Sequence, residues 1–531
     1  MQTDIDAVVV GAGFAGLYML HRLRNELGLR VVVIEAADGV GGTWHWNRYP
    51  GARCDTESYI YCYSFSPELL QEWDWSGKYP SQPELLSYLN HVADRFDLRP
   101  DIRLETRVER ATFDDSTDTW SVTTDRGDVI TSRFLITGVG LLASAPYAPR
   151  FEGAEDFTGE TFHTGTWPQT PVDFTGKRVG VIGTGSTGVQ IIPELARQAE
   201  HVAVFQRTAQ FTVPAQHHTV DAEALRKVKA NYDEIWQATY ASVGGFPWQH
   251  NGRSALADTP EQRDETFRAL WAEGGFRFIF GNYKDVLTNL ESNNHVAEFV
   301  RARIRERVQD PVVREKLVPQ GEPFAARRPI VDTNYFETYD RDNVELVDLT
   351  SESIERFTAT GIRTTAGDYP LDVVVYATGF DAVSGPFLRM DVTGSNGLSL
   401  ADAWDEGPRT YLGLGMAGFP NLFTVTGPGS AFGNIPVVIQ HHVEWIAAAI
   451  SHLLESGHTR FEVLQQSQDA WYDELVETAN KTVIPLADSW YSGSNVPGKP
   501  HSVSFYLGSY SAYRGRCDAT AAAGYPGFLL S

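Results

Sequence analysis

A short β-branched run followed at once by three spaced glycines occurs twice in this chain. Ile5 to Val10 leads into Gly11-x-Gly13-x-x-Gly16, and Val179 to Ile182 leads into Gly183-x-Gly185-x-x-Gly188. After each turn, apolar residues recur at helical spacing: Leu17, Leu20, Leu23 and Leu27 in the first unit, and Val189, Ile192, Leu195 and Ala199 in the second. A further apolar run then follows, Val31 to Ile34 and His201 to Gln206. Strand, tight turn, helix and strand are therefore predicted at both places, a βαβ start of the dinucleotide-binding kind. The glycines permit the turn, let backbone approach a pyrophosphate and allow close helix packing. The helix N-terminus offers free N–H groups to the phosphates.

The two units differ in one charge. Glu35 ends the second strand of the first unit, 19 residues beyond Gly16, and Arg207 stands 19 residues beyond Gly188. A carboxylate there accepts hydrogen bonds from a ribose with free hydroxyls, as in the adenosine of FAD. A guanidinium suits the extra ribose phosphate that distinguishes NADP from NAD. The first unit is thus read as an FAD site on Gly11, Gly13, Ala15, Gly16 and Glu35. The second is read as an NADPH site on Thr184, Gly185, Ser186, Thr187, Gly188 and Arg207.

Composition narrows the setting. The 531 residues imply several compact units, and a formal charge of -24 repels nucleic acid and anionic membranes. Cys54, Cys62 and Cys517 form no CxxC, and the apolar start has no basic leader region, so a reducing cytoplasm is expected. Cys54 and Cys62 read as ordinary buried thiols. The apolar stretch Val443 to Leu454 is interrupted by Glu444, Trp445, Ser451 and His452, and no membrane span is expected. No metal site is expected either, since the adjacent pairs His217-His218 and His441-His442 diverge and lack further ligands at metal spacing. From Asp221 to about Gly321 the chain is charged and helical, with Leu225, Val228, Tyr232, Ile235, Trp236, Tyr240 and Val243 as one stripe. It reads as a helical insertion used for packing, with no chemistry. Val373 to Tyr376 followed by Ala377-Thr378-Gly379-Phe380 reads as a strand whose glycine turn returns the chain between two nucleotide domains.

Other segments point to a family. Phe157-x-Gly159-x-x-x-His163-x-x-x-Trp167-Pro168 precedes the second glycine turn, and Gly41-Gly42-Thr43-Trp44 and Tyr49-Pro50-Gly51-Ala52-Arg53-Cys54-Asp55 follow the first. On these motifs the chain resembles the type I Baeyer–Villiger monooxygenases. The resemblance continues to Ser489-Trp490-Tyr491 and Asn495-Val496-Pro497-Gly498-Lys499. Flavin monooxygenases that oxidise nitrogen or sulfur are the alternative; they usually carry another aromatic pattern in place of Trp-Pro.

The resemblance implies an NADPH- and O2-dependent oxidoreductase that converts apolar ketones, cyclic or aryl ones favoured, to lactones or esters. The implied route passes through a peroxyflavin and a tetrahedral intermediate, both anionic, which calls for a permanent cation beside the flavin. In Arg327-Arg328-Pro329 the residue before the proline matches the family's catalytic arginine, so Arg328 is the candidate. Arg327 is expected to touch the NADP ribose phosphate with Arg207 and Thr208. Asp55 matches the carboxylate that positions the arginine, although locally it also fits a helix cap ahead of Thr56 and Glu57. His163 is read as an interdomain hydrogen-bonding element rather than a general base. The resemblance adds Gly42, Thr43, Trp44, Trp46, Asp55, Tyr61 and Val108 to the FAD site. It adds Trp490 to the NADP site, and Phe432 and Ile435 to the substrate pocket. The expected fold is α/β with two Rossmann-like dinucleotide-binding domains. Residues 1–141 and 379–531 form the FAD domain, and residues 142–378 the NADP domain with a helical insertion at about 216–325. No obligate protein partner is inferred.

Overall fold

The fold is that of a computed structural model, which describes residues 5–142 and 145–531. The chain opens with β1 (Ile5–Val10), the Gly11 turn, a helix Phe14–Leu20 and β2 (Val31–Ile34). The helix does not stay regular to Leu27: from His21 to Glu26 it widens to π geometry, keeping Leu23 buried while Leu27 is only half-buried. β3 (Ile102–Arg103), β4 (Val108–Asp114), β5 (Thr119–Thr124) and β6 (Val129–Thr137) complete the order β4-β5-β6-β1-β2-β3. The pairs β6/β1, β1/β2 and β2/β3 are parallel, while β4/β5 and β5/β6 are antiparallel. All four residues of β2 are buried, as expected for a parallel strand covered on both faces.

The second sheet collects β7 (Glu160–His163), β8 (Arg178–Ile182) and β9 (His201–Gln206) with strands from much later in the chain. Between them lie β10 (Thr212–Pro214) and β11 (Ile330–Asp332), which pair in parallel with each other. β12 (Val344–Asp348), the meander β13 (Ile354–Thr358), β14 (Gly361–Thr364) and β15 (Asp368–Pro370), and β16 (Val373–Tyr376) follow. The sheet order is β12-β9-β8-β16-β7, parallel throughout. The chain then rejoins the first sheet. β17 (Asp391–Thr393) extends its edge beside β4, and β18 (Leu422–Thr424) pairs with β6.

Two connections run between the sheets and are tied together. Pro146 and Phe380 form an antiparallel bridge, Asp381 N–H donates to the Ala145 carbonyl at 2.8 Å, and Tyr147 N–H donates to Gly379 at 2.9 Å. His163 is added at the end of β7. Its Nδ1 accepts from Gly165 N–H at 2.9 Å and its Nε2 lies 3.1 Å from the Tyr147 carbonyl, which assigns the proton to Nε2. Burial holds this imidazole below its ordinary pKa, so it is a neutral strut at the crossing.

The stripe from Leu225 to Val243 is not one helix. Helices Ala222–Ala230 and Tyr232–Tyr240 are separated at Asn231, the first buries no residue fully, and Val243 is 40% exposed. The side-chain spacing is right for a helix, and Val228 of the first half packs on the same core as Tyr232, Ile235, Trp236 and Tyr240 of the second, across the break at Asn231. The longest helix, Ile435–Glu455, packs on Phe14–Leu20, and Tyr18 donates to Glu444 at 3.1 Å. Among the described residues no helix is long and apolar enough to cross a membrane.

Candidate active site

The two glycine turns share one backbone conformation and differ in the space beside their middle glycine. Gly11 and Gly183 adopt φ of +99° and +107°, where a side chain is strained, and a Cβ there would lie 2.6 Å from the Gly138 carbonyl oxygen and 2.5 Å from that of Ala377. A Cβ on Gly16 or Gly188 would collide with the carbonyl of the first glycine of its own turn. Gly185 is the exception. A Cβ there meets nothing within 4 Å, so open space lies at the N-terminus of helix Ser186–Gln198, as a bound pyrophosphate requires. In the first unit Gly13 closely approaches Gly42, which starts the short helix Thr43–Trp46 with Trp44 buried.

Glu35 is 5% exposed and accepts from Ala12 N–H at 2.7 Å and Ala37 N–H at 2.8 Å, one bond to each oxygen. Each oxygen keeps a further lone pair for a ribose hydroxyl. Burial pushes the carboxyl up and the two N–H bonds oppose that push. The Trp44 and Tyr61 rings meet edge to face at 5.8 Å, Phe14 next to Ala15 packs on Tyr61 at 5.5 Å, and the Glu35 carbonyl accepts from Thr106 N–H just before Val108 enters β4. Trp44, Tyr61 and Phe14 thus pack together, and the glycine backbone and Glu35 have the donors and acceptors that FAD calls for.

In the second unit Thr184 Oγ1 donates to the Thr208 carbonyl at 3.1 Å, drawing the strand end that bears Arg207 to the turn. Arg207 is exposed and has no ion pair or hydrogen bond to another described residue, which leaves its guanidinium available to a ribose phosphate. Arg327 pairs through its Nη2 with Glu322 at 2.6 Å.

Arg328 and Asp55, 273 residues apart in sequence, meet at 2.8 Å between Nη1 and Oδ2. The same Nη1 donates to Ser186 Oγ at 3.1 Å, and the guanidinium lies 5.2 Å above the Phe276 ring. Arg328 is delivered by the short strand pair β10/β11, in which Ile330 N–H bonds the Phe211 carbonyl at 3.1 Å. Asp55 is held on a loop fastened by Cys54 N–H to Pro80 at 3.0 Å and Ser58 N–H to Lys78 at 2.8 Å. It caps no helix, because the helical turn that follows begins at Ser58, with Glu57 at its start. Burial pulls the Arg328 guanidinium down, yet the facing Asp55 outweighs it and the group ends above its ordinary value, fully charged. Burial pushes the Asp55 carboxyl up, against the pull of Arg328.

Phe432 lies in an aromatic cluster with Trp490 at 6.2 Å, Tyr491 at 4.8 Å and Phe505 at 5.0 Å. Ile435 does not share it. It begins the long helix and packs on the main core, while neighbouring Asn434 donates to the Ile60 carbonyl at 2.7 Å and to Gly244 at 2.9 Å.

The fold has full-length counterparts. Residues 5–219 match the family model of flavin-binding monooxygenase-like proteins. A Baeyer–Villiger monooxygenase of Pseudooceanicola batsensis is 45% identical over 99% of this chain and 96% of its own. The chain belongs to the Baeyer–Villiger monooxygenases. The crystal structure of cyclohexanone monooxygenase from Rhodococcus sp. Phi1 bound to NADP+ superposes with a TM-score of 0.98 at 43% identity, covering 100% of both chains. A phenazine N-monooxygenase of Lysobacter antibioticus is 42% identical over 100% of this chain and 97% of its own. Solved relatives hold both FAD and NADP, and these are the cofactors of this monooxygenase.

The family motif also makes contacts in this monooxygenase. Gly159 has no room for a side chain beside the Asp372 carbonyl and the Phe157 ring, and Trp167 packs on Phe162 at 5.2 Å. Gln169, directly after Trp167-Pro168, donates to Asp38 at 2.8 Å, and Asp38 meets His45 at 3.0 Å in the helix that follows Gly42. The motif thus reaches the first nucleotide unit. Cys54, Cys62 and Cys517 are buried free thiols, and no cluster able to hold a metal occurs among the described residues.

Four residues were given no role in the sequence reading, although Tyr49 and Tyr491 stand in its motif strings. Phe276, from the insertion assigned no chemistry, forms the floor beneath Arg328. Tyr491 joins Phe432 to Trp490, and Tyr49 and Gln190 bind each other beside Asp55. Gln190 had a local signal as well: it stands one helical turn after Ser186 on the same face.

Proposed function

We propose that this monooxygenase converts apolar ketones, cyclic or aryl ones foremost, to lactones or esters, with Arg328 as the catalytic cation and Asp55 as its anchor. The observation that carries the reading is the Arg328–Asp55 pair at 2.8 Å, seated beside Ser186 at the mouth of the second glycine turn. FAD, when bound, supplies hydride acceptance from NADPH and activation of dioxygen, of which one atom enters the ketone and the other leaves as water. Arg328 offers fixed positive charge where the ketone oxygen becomes negative, and a guanidinium does not lose its proton on desolvation. Asp55 fixes the guanidinium plane, and Phe276 shields one face of it from water. Glu35 receives the ribose of FAD, and Arg207 receives the ribose phosphate of NADPH. Trp490 and Phe432 form an apolar wall suited to nicotinamide and ketone. The division into an FAD domain (1–141 and 379–531) and an NADP domain (142–378) belongs to the same proposal. So does a cytoplasmic location, which three buried free thiols support.

The test is oxidation of a panel of ketones, amines and sulfides with NADPH and isotopically labelled dioxygen. One labelled atom in an ester or lactone is expected. Oxidation of amines and sulfides with every ketone untouched would replace this reading by nitrogen or sulfur oxidation, which the phenazine N-monooxygenase relative keeps in view. A second expectation concerns Arg207→Gln. It removes charge-assisted bonds to one phosphate and should lower the preference for NADPH over NADH roughly 10- to 100-fold, with flavin content unchanged. An unaltered ratio of kcat/KM for the two coenzymes would place the phosphate elsewhere.

A further inference from the structure

Gln190 makes every hydrogen bond that its amide allows. Its Oε1 accepts from the Tyr49 hydroxyl at 2.8 Å and from Arg53 N–H at 3.3 Å, and its Nε2 donates to the Arg53 carbonyl at 3.0 Å and to Asp55 Oδ1 at 3.1 Å. A primary amide has two acceptor and two donor positions, so none is left over. Asp55 is consequently gripped at both oxygens, Oδ1 by Gln190 and Oδ2 by Arg328. Arg328 in turn reaches Ser186, one turn before Gln190 on the same helix. The contacts close a ring: helix, Ser186, Arg328, Asp55, Gln190, helix. The loop and helix also meet at backbone distance. A Cβ on Gly51, which has φ +82°, would stand 2.6 Å from the Gln190 carbonyl oxygen.

We propose that Gln190 is a positioning residue that clamps the Asp55–Arg328 pair to the second dinucleotide-binding helix, so that the catalytic cation and the nicotinamide site are held as one body. This rests on reading Arg328 as the catalytic cation. Without Gln190, Asp55 keeps a single partner and can rotate, and Arg328 loses its fixed plane while Ser186 and the NADP cradle stay intact. The effect belongs in turnover rather than in coenzyme binding.

The experiment uses the full-length holoenzyme with Gln190→Leu, Gln190→Glu and Arg328→Ala side by side. It measures ester and hydrogen peroxide formed per NADPH, kcat and KM for one ketone, and the dissociation constant of NADP+ by titration. Gln190→Leu should lower the kcat for ester roughly 10- to 100-fold, as a small misplacement of a catalytic group does. Peroxide should take up the missing NADPH, while the ketone KM and NADP+ affinity stay within about threefold. Gln190→Glu separates positioning from packing because it keeps the shape. Protonated, the introduced carboxyl can donate to Asp55; ionised, it repels it. Ester formation by Gln190→Glu should therefore fall as pH rises from about 6 to 9, a limb absent from Gln190→Leu. The charged or titratable groups around this position are Asp55, Arg328, Tyr49, Cys54, Tyr61, Tyr79 and Tyr491, with Arg53, Glu194 and His217 at the rim. They are common to both variants, so the difference isolates residue 190. Wild-type kcat and coupling in Gln190→Leu, or identical pH profiles for the two variants, would overturn the clamp. If Gln190→Leu fails to fold, the Gln190→Glu profile against wild type decides. Undiminished ester formation by Arg328→Ala would instead overturn the underlying role of the cation.

Discussion

Arg328→Ala is expected to lower ester formation from ketones roughly 10²- to 10³-fold, the loss typical when a preorganised charge facing a developing oxyanion is removed. Two effects act in the same direction. The positive charge disappears from beside Ser186, and Asp55 loses the stronger of the two partners that oppose its burial, so its carboxyl drifts toward the neutral form. Arg328→Lys should recover only part of the activity. One ammonium cannot reproduce the guanidinium's rigid fork over the Phe276 face. The measurement is ester formed per NADPH consumed, together with flavin content. Retained flavin with peroxide in place of ester is the expected signature. Ester formation within threefold of wild type in Arg328→Ala would assign the chemistry to another cation.

Gly16→Ala and Gly188→Ala should each abolish binding at one nucleotide and leave the other site standing. In both, the new methyl would enter the carbonyl of the first glycine in its own turn, so the turn must open, at a cost of about 1–3 kcal/mol or more. Gly16→Ala is expected to purify without visible flavin absorbance. Gly188→Ala should keep its flavin and lose NADPH-driven reduction. Gly185→Ala is the informative contrast, since its methyl meets no protein atom within 4 Å. The fold and flavin should survive while the KM for NADPH rises, because the methyl occupies space meant for the pyrophosphate. A Gly185→Ala protein with an ordinary KM would show that the pyrophosphate lies elsewhere.

These expectations depend on information of different reach. The glycine turns, Glu35 and Arg207 are readable because a βαβ start is a local device. Strand, turn, helix and strand-end charge lie within about thirty residues, and backbone geometry alone demands the glycines. The same locality misleads elsewhere. The stripe from Leu225 to Val243 has helical spacing, yet the chain breaks at Asn231. Asp55 resembles a cap ahead of Thr56 and Glu57, yet its carboxylate faces a guanidinium rather than a helix end. Arg327 and Arg328 carry the same charge one position apart, and only the tertiary structure shows that the first pairs with Glu322 and the second with Asp55.

From its sequence alone, then, this chain reads as a two-nucleotide α/β protein with a carboxylate after the second strand of its first unit, an arginine at the same place in the second and the motif string of a Baeyer–Villiger monooxygenase. Tertiary structure alone decided which arginine meets Asp55, that Phe276 of the insertion lies beneath it, and that Gln190 joins the pair to the coenzyme helix. The physical reason is distance along the chain. A turn or strand end is specified by neighbours whose backbones are already linked. The Asp55–Arg328 contact spans 273 residues, and packing of both sheets and the insertion is needed before those two side chains can meet.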